Sequence, residues 1–461
     1  MTIGCGGSRS TLMKVVDDAR HRVVQVAHPL RDVGAQPPVA RPAPRIDAAV
    51  AVLDGASLLS VEQARSRIVS ALAPVGIESV ALGESLGRVL AADVMARTTS
   101  PATDVSAMDG YALRTADAAG GREWLRVVGS ATPGAAYGSA LGEREAVRIF
   151  TGAAVPGGAD AVAVQENAER NEDRVRIASA PHPGRNIRPA GLDFRAGATG
   201  LRAGETVGVR AVALAAAMNI PALPVRRRPR IAVFVSGDEL VAVGDGVGAS
   251  GIPDANGPAL CAAVVAAGGD PRFVGIARDE PESLRALAAA VRGVDLLVVA
   301  GGASVGEHDL ARSALLDAGL VVDFSGVAIR PGKPLWFGRL NGIPVLGLPG
   351  NPVAALVCML VFVGPALDAL LGRPADAPRT TAAVLGRDLP ANDQRADYLR
   401  SALDRRADGV LVATPLAQQD SGMIAALAGA GCLVLRAPGA AAAMAGESVA
   451  IIPFGLSPAV F

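Results

Sequence analysis

From residue 230 onward, short apolar runs alternate with stretches of helical periodicity. The runs at 231–235, 273–276, 296–299, 321–324 and 343–346 are four or five residues long and dominated by Val, Leu and Ile, as in strands buried on both faces. Between and after them, 257–267, 281–291, 307–317 and 352–371 read as helices. Such alternation predicts a doubly wound, mostly parallel sheet whose ligands lie beyond the C-terminal strand ends. Before residue 230 the pattern is different. Val61, Ala64, Ile68 and Leu72 repeat at helical spacing behind Ser60, a good cap. Further helices are predicted over 82–94 and around 209–218. Between 103 and 185 the pattern shortens to strands and turns, with strands expected at 124–128, 146–150, 161–165 and 175–177. After Gly372-Arg373-Pro374, runs at 398–403, 410–414, 432–435 and 448–452 predict a small β domain.

These elements describe an α/β multidomain protein. The expected parts are an elongated α+β linking domain (57–103 and 186–228), an inserted β-rich module (104–185), the sheet domain (229–374) and a C-terminal β domain (375–461). Residues 1–56 are Gly-, Pro- and Ala-rich with little periodicity and read as a poorly ordered extension. Arg226-Arg227-Arg228 reads as a solvated linker before the first strand of the sheet domain.

Composition narrows the function. The 44 basic residues balance the 44 acidic ones, which argues against a generic nucleic-acid or membrane-surface binder. With 3% aromatics, base-stacking platforms are not expected either. Cys5, Cys261, Cys358 and Cys432 have no CxxC spacing, and His21, His28, His182 and His308 form no close pair, so neither a disulfide framework nor a transition-metal site is indicated. Cys261 and Cys358, inside apolar helical patterns, read as buried free thiols. No signal peptide is visible. The uncharged run over 340–367 is broken by Pro344, Pro349, Pro352 and Pro365 and reads as a buried strand, turn and helix. A cytoplasmic protein is expected.

The chemistry gathers at the predicted strand ends. Ala300-Gly301-Gly302-Ala303-Ser304-Val305-Gly306 follows one strand, and Gly347-Leu348-Pro349-Gly350-Asn351-Pro352 follows another; each opens a helix. Strand, Gly turn and helix N-terminus together aim free N–H groups and a helix dipole at an anion. With Lys333 of Arg330-Pro331-Gly332-Lys333-Pro334 between them, the two turns predict a site for a phosphorylated ligand. Other strand ends carry Asp238-Glu239, Asp279-Glu280 and Asp309, and Asp254 and Asn256 stand at a helix start. Each acid alone suits a helix cap. Together, beside phosphate-binding turns, they suit Mg²⁺, which prefers oxygen ligands and bridges protein to phosphate.

Six motifs in order carry a resemblance. Ser106-Ala107-Met108-Asp109-Gly110-Tyr111-Ala112, Thr151-Gly152-Ala153 with Gly158-Ala159-Asp160-Ala161-Val162 and Glu166, Gly237-Asp238-Glu239-Leu240, the Gly-Gly-x-Ser-Val-Gly turn, Pro331-Gly332-Lys333-Pro334 and Leu348-Pro349-Gly350-Asn351-Pro352 together resemble the molybdopterin molybdenumtransferase family, which includes bacterial MoeA proteins and the C-terminal domain of gephyrin. The match runs from about Ser57 to Phe461. It implies that the sheet domain is of the molybdopterin-binding type. It also implies an enzyme that inserts molybdenum from molybdate into adenylylated molybdopterin and releases AMP, and a homodimer in which the β-rich module of one subunit faces the sheet of the other. The pathway's molybdopterin adenylyltransferase becomes a candidate partner, while nucleic acid and membrane are not expected.

On the same basis Asp109, Glu239, Asp279 and Asp309 are catalytic candidates. Asp238, Glu239, Asp279 and Asp309 are the candidates for Mg²⁺. Thr151, Asp193, Asp238, Gly302, Ser304, Gly306, Arg330, Lys333, Pro349, Gly350, Asn351, Pro352, Arg400 and Ser421 are substrate-binding candidates. For Met108-Asp109-Gly110 the competing reading is a turn with an Asp cap, and for Arg400 a strand-surface charge. The chain departs from many relatives in having Gly326 where they carry Lys, four residues before Arg330. Anion affinity is therefore expected to rest on Lys333 and on Arg330, whose planar fork can grip two oxygens. Two alternatives remain: a molybdopterin-binding or scaffold protein without turnover, and the adenylyltransferase itself, whose fold resembles the sheet domain alone.

Overall fold

The computed structural model describes residues 58–179, 181–278, 292–301 and 310–455. The predicted extension (1–56) and the helix predicted over 281–291 lie outside them.

The sheet domain is built on β1 (Arg230–Ser236), β2 (Asp270–Ala277), β3 (Leu296–Ala300), β4 (Leu320–Ser325), β6 (Trp336–Leu340) and β7 (Ile343–Leu348), in the order β2-β1-β3-β7-β6-β4. The short β5 (Ile329–Arg330) lies between β4 and β6 in sequence. Strands β2, β1, β3 and β7 are parallel, and β6 runs antiparallel to both β7 and β4. Sequence periodicity misses β6. Its Trp336-Phe337-Gly338 is apolar, but no helix separates it from β7, only the turn at Asn341-Gly342.

The central strands bury alternate residues on opposite faces. Ile231, Val233, Val235, Leu296 and Val298 join one core with Leu260, Phe362 and Leu367. Ala232, Phe234, Leu297, Val299 and Trp336 join the other with Ala314 and Leu315. Helix α1 (Asn256–Ala266) follows β1, α2 (Leu310–Asp317) follows β3, and α3 (Pro352–Cys358) continues through a π-helical turn (Met359–Val363) into α4 (Gly364–Leu371). The span Pro352–Leu371 is long and apolar enough to cross a membrane by length and composition, but 72% of its most apolar window is buried inside the protein. It is a core helix.

The C-terminal domain is a closed barrel. Strands β8 (Thr381–Leu385), β9 (Ala396–Arg405), β10 (Leu411–Pro415), β11 (Cys432–Arg436) and β12 (Ser448–Pro453) pair in the ring β9-β10-β8-β12-β11, and β11 returns to β9. Strand β5 of the sheet domain adds to β9, with Arg330 opposite Asp397. The inserted module has its own six-stranded sheet, from Gly110–Leu113 to Arg174–Ile177.

Two expectations in the linking region are corrected. The helix predicted over 82–94 is one 3-10 turn (Leu82–Glu84) followed by extended chain. Gly87 is left-handed at φ 74°, and the amides of Gly87 and Leu90 bond to Val207 and Glu205, so long-range pairing overrides local periodicity. Of the Arg triplet only Arg228 is exposed; the other two are not a solvated linker. Arg226 sits in the strand Ala222–Arg226 and donates to the Val75 carbonyl, and Arg227 grips both carboxylate oxygens of Asp295 at 2.7 and 2.6 Å. The helix behind Ser60 does form, with Ser60 and Gln63 in a reciprocal capping box.

Candidate active site

The register of the sheet sets the site. Ala277 lies opposite Ser236, Val235 opposite Ala300, and Ala300 opposite Leu348, so four parallel strands finish in line. The chain just beyond them is crowded. A Cβ on Gly301, whose φ is 99°, would fall 2.2 Å from the Ser236 carbonyl oxygen, and one on Gly350 would reach the Gly301 Cα at 3.4 Å. Gly301 therefore permits the close approach of three strand ends.

Asp238 and Glu239 follow β1 and are both exposed. The Glu239 carboxylate folds back over Gly237, where a Cβ would come within 2.8 Å of its oxygens. Asp279, Gly302, Ser304, Gly306 and Asp309, all predicted at this edge, lie outside the described residues.

The turn after β7 is held from two directions. From the sheet domain, the Asn256 Nδ2 donates to the Gly350 carbonyl at 2.7 Å. From the barrel, Ser421 Oγ accepts from Asn351 Nδ2 at 2.8 Å, and the Ser421 carbonyl accepts the Val353 amide at 3.1 Å. Pro349 is buried, Gly350 and Asn351 are exposed, and Pro352 begins α3. The predicted residues Gly350, Asn351 and Ser421 thus meet across two domains.

Behind Ser421 lies Arg400, only 1% exposed. Its Nη1 donates to the Met423 carbonyl at 3.1 Å, and its backbone N–H and C=O both pair with the Gln419 side-chain amide. Burial pulls the guanidinium pKa below its ordinary value, against the nearby Asp420. Arg400 is not a strand-surface charge, since it braces the loop that carries Ser421.

Arg330 has a different setting from the one expected. Its Nε and Nη2 grip the two oxygens of Asp397 at 2.7 and 2.8 Å, and Nη2 also reaches Asn392 Oδ1 at 3.0 Å. The hydrogen bonds to Asp397 hold its pKa above the ordinary value. The fork expected to compensate for Gly326 by gripping an anion grips a carboxylate of the barrel instead. Gly326 itself is left-handed at φ 90°, and a Cβ there would meet the Leu58 Cδ2 at 2.8 Å, so Lys at this position would be strained. Lys333 is exposed and has no side-chain partner among the described residues. Arg330, Arg387, Asn392, Asp397, Arg400 and Gln419 help line a cleft of about 340 Å³.

In the inserted module, Asp109 Oδ1 accepts both the backbone N–H and the hydroxyl of Thr151, each at 2.8 Å. These two bonds, the backbone one first, lower the Asp109 pKa. Asp109 thus caps no local turn, which Ser106 Oγ serves through Met108, but reaches Thr151 and joins two predicted site residues. Asp193 is exposed in a loop whose backbone bonds to Ser100. Among the described residues, no hydrogen bond carries Asp109, Thr151 or Asp193 to the strand ends.

From residue 59 to 454 the chain reproduces a known order of parts. It matches, in sequence, the MoeA N-terminal region (domain I and II) over residues 59–219, the probable molybdopterin binding domain over 232–369 and the MoeA C-terminal region (domain IV) over 382–454. It is 33% identical over 401 residues to the molybdopterin molybdenumtransferase of Haemophilus influenzae, covering 86% of this chain and 99% of that protein. The chain belongs to the molybdopterin molybdenumtransferase family. The Bacillus subtilis molybdopterin molybdenumtransferase is 33% identical over 384 residues, which cover 81% of this chain and 89% of that one. A solved molybdopterin biosynthesis MoeA protein from Pyrococcus horikosii superposes with a TM-score of 0.77 at 33% identity, over 86% of this chain and 99% of that one. The likeness includes the barrel, so the meeting of Asn351 with Ser421 lies within the region shared with the family.

Asn256, Asp397 and Gln419 act here without having been predicted as site residues. Asn256 is visible in the sequence at a helix start beside Asp254, but nothing there ties it to Gly350. Asp397 and Gln419 carry no local signal, because their partners are 67 and 19 residues away.

Proposed function

We propose that this protein inserts molybdenum from molybdate into adenylylated molybdopterin and releases AMP. The observation that carries the reading is the Asn351–Ser421 hydrogen bond, which joins the anion-facing turn of the sheet domain to the barrel. Backbone N–H groups at that turn and the ammonium of Lys333 would neutralise substrate phosphate or molybdate oxygens. Arg400 keeps the Ser421 loop in place. Asp109 would act across a homodimer, with the inserted module of one subunit facing the strand ends of the other; the resemblance to the family supports this.

The donor set suits Mg²⁺. That ion is commonly held by one or two carboxylates, water and the substrate's own phosphates. Asp238 and Glu239 are adjacent exposed carboxylates, and among the described residues no group of three or more His, Cys, Asp or Glu side chains gathers into a closed cage. We assign the ion to Asp238 and Glu239, with Asp279 and Asp309 as the further carboxylates that the sequence predicts there. When bound it would offset the charge that builds on the phosphate oxygens as AMP departs. The pathway's adenylyltransferase is the expected source of substrate. Burial of Pro352–Leu371 in the core fits a cytoplasmic setting.

The test is to incubate the protein with adenylylated molybdopterin, Mg²⁺ and molybdate and to measure AMP. Release that depends on molybdate supports the reading. Binding of the pterin with no AMP would make the chain a binding or scaffold protein instead.

A further inference from the structure

Asn256 is the first residue of α1 and is 6% exposed. Its own backbone is fixed, since the amides of Asn256 and Gly257 both donate to Oδ1 of the buried Asp254 at 2.9 Å. Its side chain donates through Nδ2 to the Gly350 carbonyl at 2.7 Å, while its Oδ1 is buried with no hydrogen-bond partner. Turning the amide over would set oxygen against oxygen at Gly350, so the carbonyl dictates the orientation. A buried acceptor left unpaired is costly and calls for an explanation.

The explanation lies in what the bond does to the turn. The Gly350–Asn351 peptide is planar and trans, so its C=O and N–H point in opposite directions. Holding the Gly350 carbonyl against α1 turns the Asn351 N–H away from the helix. Gly350 and Asn351 are exposed, and no acceptor for that N–H lies among the described residues. Ser421 meanwhile fixes the Asn351 side chain from the other direction.

We propose that Asn256 is a positioning residue: it orients the Gly350–Asn351 peptide so that the Asn351 N–H is offered to an anionic oxygen of the bound substrate. This rests on the proposed function, which places substrate phosphate or molybdate at the turn. A preset donor binds an anion without having to reorganise when it arrives.

The experiment compares the full chain with its Asn256→Leu variant, using AMP and inorganic phosphate as probes. Leu removes the donor and also the unpaired acceptor, so the melting temperature should stay within about 2 °C of the parent. AMP affinity measured by calorimetry should fall about five- to tenfold, the loss expected from one misaligned charge-assisted bond. Hydrogen exchange gives the local readout. AMP or phosphate should slow exchange in a peptide covering 349–353 of the parent and leave it unprotected in the variant. Parent-like affinity and protection in Asn256→Leu would overturn the proposal. If that variant melts early, Asn256→Ala replaces it, and affinity lost only in step with melting temperature would mark a purely structural residue, against the proposal. A parent that binds phosphate at the turn but releases no AMP in the turnover assay would count against the proposed function, while the phosphate comparison still decides for or against Asn256.

Discussion

Replacing Asp397 by Asn removes the charge and one of the two carboxylate oxygens that accept from Arg330, leaving the Asn392 acceptor and the backbone pairing of β5 with β9 intact. The Asp397 side chain is 9% exposed and the Arg330 side chain 43%, so the pair is sheltered on one side and open to water on the other. Hydrogen bonds to charged groups contribute about 1.5–3 kcal/mol, and screening of the open guanidinium brings the expected loss to about 1–2 kcal/mol. For a barrel of this size that is a fall of roughly 4–16 °C in its melting transition. Arg330→Ala should produce a similar fall, and the double variant should lose less than the sum of the two, because both remove the same contact. The molybdate concentration for half-maximal AMP release should stay within about twofold of the parent in each, since the fork faces a carboxylate. An Arg330→Ala protein that melts like the parent but needs about tenfold more molybdate would refute the reasoning and return Arg330 to the anion site.

Three further outcomes are expected. Asp279→Asn should leave the protein folded and slow AMP release about a hundredfold, as expected when a metal–carboxylate contact near the transition state is lost; parent-like rates would remove Asp279 from the site. Burial raises the Tyr398 pKa from 10.0 to about 12. The neutral phenol is thus favoured by folding, and its contribution is complete below pH 10 and lost as pH rises toward 12; Tyr398→Phe should flatten that part of the stability–pH curve, and an unchanged curve would contradict the assignment. A chain shortened to begin at Ser57 should keep its melting temperature and AMP release, because residues 1–56 lack the apolar periodicity of a packed element; a drop of several degrees would show that they dock.

The sequence makes most of the sheet domain legible because its strands are buried on both faces. Val298 and Val299 need apolar neighbours on opposite sides, so the run is continuous and unmistakable. Antiparallel β6 escapes because no helix separates it from β7. The false helix over 82–94 shows the opposite failure, where apolar spacing is satisfied by pairing with 205–207. The same contrast governs the site. Gly301 announces itself because a Cβ there would strike the Ser236 carbonyl and its backbone is left-handed. Asp397 does not, because nothing local distinguishes an Asp that grips an Arg across a domain boundary from one that faces water.

The same difference separates Arg330 from Ser421. Both belong to motifs that resemble the family, and both reach from one domain to another. Ser421 meets a turn whose Gly and Pro pattern is itself legible, so its contact falls where the sequence places the anion-binding turn. Arg330 meets a barrel strand with no such signature, and its charge alone is compatible with either an anion or a carboxylate. A left-handed Gly326 packed under Leu58 carries no cation, so the segment's exposed charges are Arg330, paired with Asp397, and Lys333, which has no side-chain partner among the described residues. An anion at this segment would be met by Lys333 and by the N–H groups of the neighbouring turn, whose Gly350–Asn351 unit is held from one direction by Asn256 and from the other by Ser421, so the strength of that grip rests on backbone preset by two side chains as much as on charge.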